Sequence, residues 1–143
     1  MTAPSIGFKD SLVAASVGVF TSPGANDWAI KVSKLTAEPD KVIAIFDSGG
    51  LPNNPRWLLD YPDVTVIVRG KSYEETYNKM KAVVDTMLGK TPGTVNGDNW
   101  DGVIMRVAPS FIGYDEKDRP QFSATFGLFV EPANVAGDNR DPL

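Results

Sequence analysis

The chain reads as an α+β domain, a single mixed or antiparallel sheet of about five strands with two helices packed on one face. Three stretches carry that expectation. In residues 64–69, Val64, Val66 and Val68 share one face while Thr65, Ile67 and Arg69 share the other, the period-two pattern of a strand. Ser72 and Glu75 then make an S-x-x-E capping box, and Tyr73, Tyr77, Met80, Val84 and Met87 follow at helical spacing, with Leu88 beside the last. Further on, Phe122, Ala124, Phe126, Leu128 and Val130 alternate strictly with their neighbours.

The other elements follow in order. Ile6, Val13, Val17 and Phe20, with Leu12 and Ser16 beside them, predict a helix over residues 4–20, with Pro4 suited to its first turn. Thr21, Ser22, Pro23 and Gly24 form a turn cluster. Trp28, Ile30 and Val32 alternate as a first strand, and the near-continuous apolar run over residues 41–47 reads as a second, central one. The two are expected to form a hairpin. Residues 48–62 read as a long connection in which Asn54 and Pro55 cap one helical turn through Arg56, Trp57 and Leu58. After the capped helix, Gly89 is expected in the left-handed conformation and Pro92 blocks continuation. Asn96–Gly97 marks a tight hairpin turn. Two further strands, over residues 100–114 and 121–130, are joined by a charged turn running from Asp115 to Pro120. One domain over residues 1–132 and a flexible tail over 133–143, poor in apolar residues, complete the expectation.

With 143 residues, 42% hydrophobic and 22% charged, the chain suits one globular domain. No apolar run approaches the ~18 residues of a membrane span, and no secretory signal pattern is read. There is no cysteine and no histidine. That inventory removes disulfides, thiolate metal sites, the commonest general base and every Ser-His or Cys-His nucleophile. A net charge of -4 disfavours a protein that captures DNA by counterion release. The reading is therefore of a protein that is not an enzyme and carries no cofactor and no metal. A small ligand-binding or catalytic α+β module and a nucleic-acid binder are the competing classes. Gly49–Gly50 and Pro23–Gly24 lack phosphate-loop spacing and read as turns.

The run from Phe46 to Pro132 resembles the tail terminator (tail completion, or minor capsid) proteins of long-tailed bacteriophages. The features are Asp47-Ser48-Gly49-Gly50 with a Pro-rich loop, Tyr61–Pro62 leading into the strand that ends Arg69–Gly70, and the helix stripe from Tyr73 to Leu88–Gly89. The Asn96–Gly97 turn, Pro109-Ser110-Phe111-Ile112-Gly113, and residues 115–120 feeding the last strand complete the set. The resemblance implies a structural virion protein assembled in the bacterial host cytoplasm and resident in the tail or neck. It implies a homo-hexameric ring that stops tail tube polymerisation, contacts the tail tube protein and the head-tail connector protein, and passes genomic DNA through its lumen without specific binding. The alternative is a head-completion or connector adaptor protein of the neck.

The residues offered for that assembly are Arg56, Trp57, Leu58, Leu59, Arg69, Asp115 and Asp118. Each has a plainer reading. Trp57, Leu58 and Leu59 fold back as a lid over their own core, Arg69 is a solvated strand end, and Asp115, Glu116 and Asp118 are a charged hairpin tip rather than oxygen ligands for a cation. An uncovered sheet face and an edge strand are the other candidate surfaces.

Overall fold

A computed structural model describes residues 1–135 and 137–142. It contains α1 (Pro4–Ala14), β1 (Ala29–Val32), β2 (Val42–Leu51), β3 (Tyr61–Arg69), α2 (Tyr73–Leu88), β4 (Gly93–Val95), β5 (Asp98–Tyr114) and β6 (Pro120–Glu131). The strands form one mixed sheet in the order β1-β2-β3-β6-β5-β4. Phe8 and Leu12 of α1 and Met80, Val83 and Met87 of α2 share one buried cluster with Val64, Val66, Val68, Phe122, Ala124 and Phe126. Both helices thus lie on the sheet face that the alternation of β3 and β6 makes apolar. Each large side chain sealed there contributes roughly 1.5–3 kcal/mol.

Local chemistry explains the best-defined pieces. At the start of α2, Ser72 Oγ accepts from the Glu75 N–H at 3.3 Å and Glu75 Oε2 accepts from the Ser72 N–H at 3.0 Å, so the capping box is closed both ways. Asn96 and Gly97 both take positive φ (51° and 87°) in the two-residue turn between β4 and β5. The twist of such a turn matches that of the strands it joins.

Several expectations are corrected. The first helix ends at Ala14 because Ser16 adopts φ 58°, its N–H donates to the Val13 carbonyl, and the Val17 N–H reaches back to the Leu12 carbonyl at 3.0 Å. This is a Schellman termination, with Leu12 and Val17 buried together, built on serine where glycine is usual. The buried face of α1 is Ser5, Phe8 and Leu12, while Ile6, Val13 and Phe20 are exposed. Ala3 supplies no cap. Instead, the Ser5 N–H and hydroxyl donate to Asp47 of β2 at 2.9 and 2.7 Å, placing a carboxylate at the helix's positive end.

β1 and β2 run parallel rather than as a hairpin, and the hairpin partner of β2 is β3. The expected long connection is therefore shorter. β2 continues through Gly49 and Gly50, with its register slipping between Asp47 and Gly50, and β3 begins at Tyr61. Gly50 has φ 108°, and a Cβ there would collide with the Tyr61 carbonyl, so the glycine pair is a bulge rather than a turn. No helical turn forms after Pro55, although Asn54 Oδ1 accepts from the N–H groups of Arg56 and Trp57. The buried stripe of α2 is Thr76, Met80, Val83 and Met87, with Tyr73 and Tyr77 half exposed. Gly89 is right-handed (φ -82°). The sixth strand, β4, was hidden in a turn-rich stretch too short to show a period.

Candidate assembly surface

The two sides of β5 differ in how much of their length is paired. β4 covers only the first residues of β5, matching Gly93, Thr94 and Val95 with Trp100, Asn99 and Asp98. Beyond Trp100, no strand among the described residues lies on that side of β5. An unpaired row of backbone N–H and C=O groups invites another chain. Two features keep it from pairing indiscriminately. Pro109 removes one donor, and the register against β6 slips at Met105/Val107, Val107/Ser110 and Phe111/Gly113.

The same length of β5 is apolar and open to solvent. Val107 is 56% exposed, Ile112 49% and Tyr114 58%. The Phe111 ring lies 5.3 Å from Tyr73, 5.2 Å from Tyr114 and 5.6 Å from the buried Phe122, and Tyr77 meets Phe122 at 5.8 Å. A shallow groove of about 310 Å³ runs beside it between Pro109 and the Tyr77–Val84 face of α2. One continuous aromatic surface thus spreads from β5 onto α2. Exposed apolar surface of this kind is available for contact with another molecule.

The residues expected at an assembly surface divide. Arg56 and Trp57 are exposed, with the guanidinium 4.9 Å over the indole. Leu58 points inward and Leu59 is half-buried, the placement a lid over the core requires. Residues 140–141 are laced to this loop. The Leu58 N–H donates to the Asp141 carbonyl, the Asp141 N–H donates to the Arg56 carbonyl, and Arg140 forks onto buried Asp60 at 2.7 and 3.3 Å. The Asp60 carboxylate holds the Arg140 guanidinium above its ordinary range. Positions 136 and 143 of the expected tail lie outside the described residues.

Arg69 is not solvated. It is 3% exposed and donates to the carbonyls of Asp40 (3.2 Å), Pro39 (2.6 Å) and Ala37 (3.5 Å). Burial and then the nearby Arg119 lower its pKa. Arg119 in turn bonds Asp115, Asp40 and the Ala37 carbonyl. The two guanidiniums clamp residues 37–40, part of the connection that must run back between two parallel strands. Asp115 accepts from the Lys117 and Arg119 N–H groups and from Arg119 Nε. Burial would raise its pKa, but those donors prevail and hold it below the usual carboxylate range. Asp118, at φ 58°, and Glu116 remain exposed.

These seven residues do not form one surface. Asp60, beside Arg56 to Leu59, pairs with Val130 near the end of β6, whereas Asp115 and Asp118 sit at its beginning, where Tyr114 pairs with Pro120. Sequence reasoning offers an edge strand without naming β5, and its helical stripe puts Tyr73 and Tyr77 on the same apolar face as Met80 and Met87. A signal existed: Phe111, Ile112 and Tyr114 put apolar groups on both faces of a strand, which a strand with one solvated face does not do.

Residues 14–131 match the model of a family described as bacteriophage tail terminator protein. The match runs from the end of α1 through β6 and takes in the whole open length of β5. A search of curated proteins found no match.

Proposed function

The chain belongs to the bacteriophage tail terminator protein family, a structural component of the virion tail, and we propose that it caps the head-proximal end of the tail tube as a six-membered ring. In this reading the ring stops tube polymerisation, offers its upper surface to the head-tail connector, and lets genomic DNA pass through its lumen. The observation that carries it is the open edge of β5 with its exposed aromatic surface, material for joining protein to protein. A ring needs two different surfaces on each subunit that fit one another. Arg56 and Trp57, at the other end of β6 from Asp118, are available for a second partner such as the tube. The net charge of -4 suits a passage through which DNA slides without sticking.

The test adds purified protein to tail tubes and images them by negative-stain electron microscopy. The expected result is one ring at the head-proximal end of each tube and no growth beyond it. A subunit that never appears at that end contradicts the reading, and its presence in tail-less heads would make it a head-completion protein instead.

A further inference from the structure

Residues 52–59 lie between β2 and β3 and belong to neither strand. Inside this loop, Asn54 Oδ1 accepts from the N–H groups of Arg56 and Trp57, and the Leu59 N–H donates to the Trp57 carbonyl at 2.8 Å. Those bonds close the loop on itself. Among the described residues, every hydrogen bond that leaves it for the rest of the chain ends on Arg140 or Asp141. The Leu58 N–H donates to the Asp141 carbonyl at 2.8 Å, and the Asp141 N–H donates to the Arg56 carbonyl at 2.7 Å. Arg140 Nη1 donates to the carbonyls of Asn54 (3.1 Å) and Trp57 (3.3 Å), and Arg56 Nε reaches the Asp141 carboxylate at 3.4 Å.

Arg140 is in turn anchored on the sheet. Its guanidinium forks onto Asp60, which exchanges two backbone hydrogen bonds with Val130 of β6 at 2.8 and 3.0 Å. Asp60 is only 6% exposed, so its carboxylate depends on that cation. One side chain therefore joins the buried acid at the loop's end to two carbonyls in its middle. A lysine there would keep the charge but not the two-pronged hold. The approach to Arg140 is shaped locally: the Val135 N–H donates to the Asp138 carboxylate, the Asp138 N–H donates to the Val135 carbonyl, and Gly137 takes φ 96°. None of residues 137–142 enters the buried cluster, so their bonds act on the loop rather than on the core.

We propose that Arg140 is a positioning residue for the Arg56–Trp57 surface: it pins residues 137–142 to Asp60 as a strap, and the strap holds residues 52–59 in the shape that presents the indole under its guanidinium. The inference rests on the reading of Arg56 and Trp57 as a contact for the tube, and adds what sets that contact in place beforehand. A loop ordered before its partner arrives has less conformational freedom to lose on binding. The coupling is reciprocal, so a partner seated on Trp57 also tightens the strap.

The test uses two full-length variants. Arg140→Ala alone would leave a buried carboxylate unpaired, so it is combined with Asp60→Asn; Arg140→Lys, which keeps the charge and loses the fork, is made beside it and serves alone should the double variant not fold. Thermal melting checks folding, hydrogen exchange follows the Leu58 amide, and co-sedimentation with tail tubes reads binding. In the double variant the Leu58 amide is expected to exchange at least about tenfold faster than in wild type, with tube binding weakened by a similar factor and Arg140→Lys falling between. Trp57→Ala is expected to weaken tube binding in the wild-type chain and to add little in the double variant, because the two changes act on one surface. A Leu58 amide as protected in the folded variants as in wild type overturns the strap. So does a freed amide with tube binding intact, where Trp57→Ala alone impairs it. If Trp57→Ala leaves binding by the wild-type chain unchanged, the tube reading of this surface falls, and the positioning role falls with it.

Discussion

Residues 64–68 and residues 107–114 are both apolar stretches of strand, yet one is sealed and the other is bare. Val64, Val66 and Val68 are fully buried beneath two helices, whereas Val107, Ile112 and Tyr114 are each about half exposed. Composition does not separate them. Position in the sheet does: β3 lies between β2 and β6, while the far part of β5 has a partner on one side only. The first stretch completes a core within one subunit, and the second stays open to solvent.

The largest effect tests the sealed side. Val66→Asp puts an unpaired carboxylate at the centre of the cluster and should cost more than about 4 kcal/mol, leaving no soluble native protein. Native-like circular dichroism from that variant would contradict the core assignment. At the end of the same strand, Arg69→Ala removes the donors that hold residues 37–40 and should cost about 3 kcal/mol in urea denaturation. If stability is unchanged, the clamp on the parallel crossover is not needed.

Sequence showed the sealed side far better than the bare one. The capping box at Ser72 and the turn at Asn96–Gly97 are complete within four residues, so local chemistry decides them. The inward face of β3 follows from alternation alone. By contrast, Ser16 ends α1 in a conformation that serine seldom takes, and nothing in its neighbours announces it. Gly49 and Gly50 look like a turn unless the Tyr61 carbonyl opposite them is known. The burial of Arg69 depends on carbonyls about thirty residues earlier in the chain. Helical spacing placed Tyr73 and Tyr77 on the apolar side of α2 but could not say that β5 would leave them half uncovered.

Two smaller effects sharpen the contrast. Ser16→Gly relieves a left-handed serine and should stabilise the fold by about 0.5–1 kcal/mol, read from the denaturation midpoint. A loss of stability would show that the serine hydroxyl matters more than its backbone. Ile112→Asp makes the same kind of change as Val66→Asp, but on the bare strand. It should leave stability within about 0.5 kcal/mol while weakening assembly on tail tubes. A large fall in melting temperature would mean that residues 107–114 belong to the core after all.

Hydrogen exchange at the amides of residues 107–114, compared between the free subunit and subunits assembled on tail tubes, tests the central claim most directly. Outward-facing amides of this stretch are predicted to exchange quickly in the free protein and at least about tenfold more slowly once assembled, as a new partner covers the edge. Equal exchange in the two states would show that this strand stays bare in the virion, and the account of it as the assembly surface would be wrong.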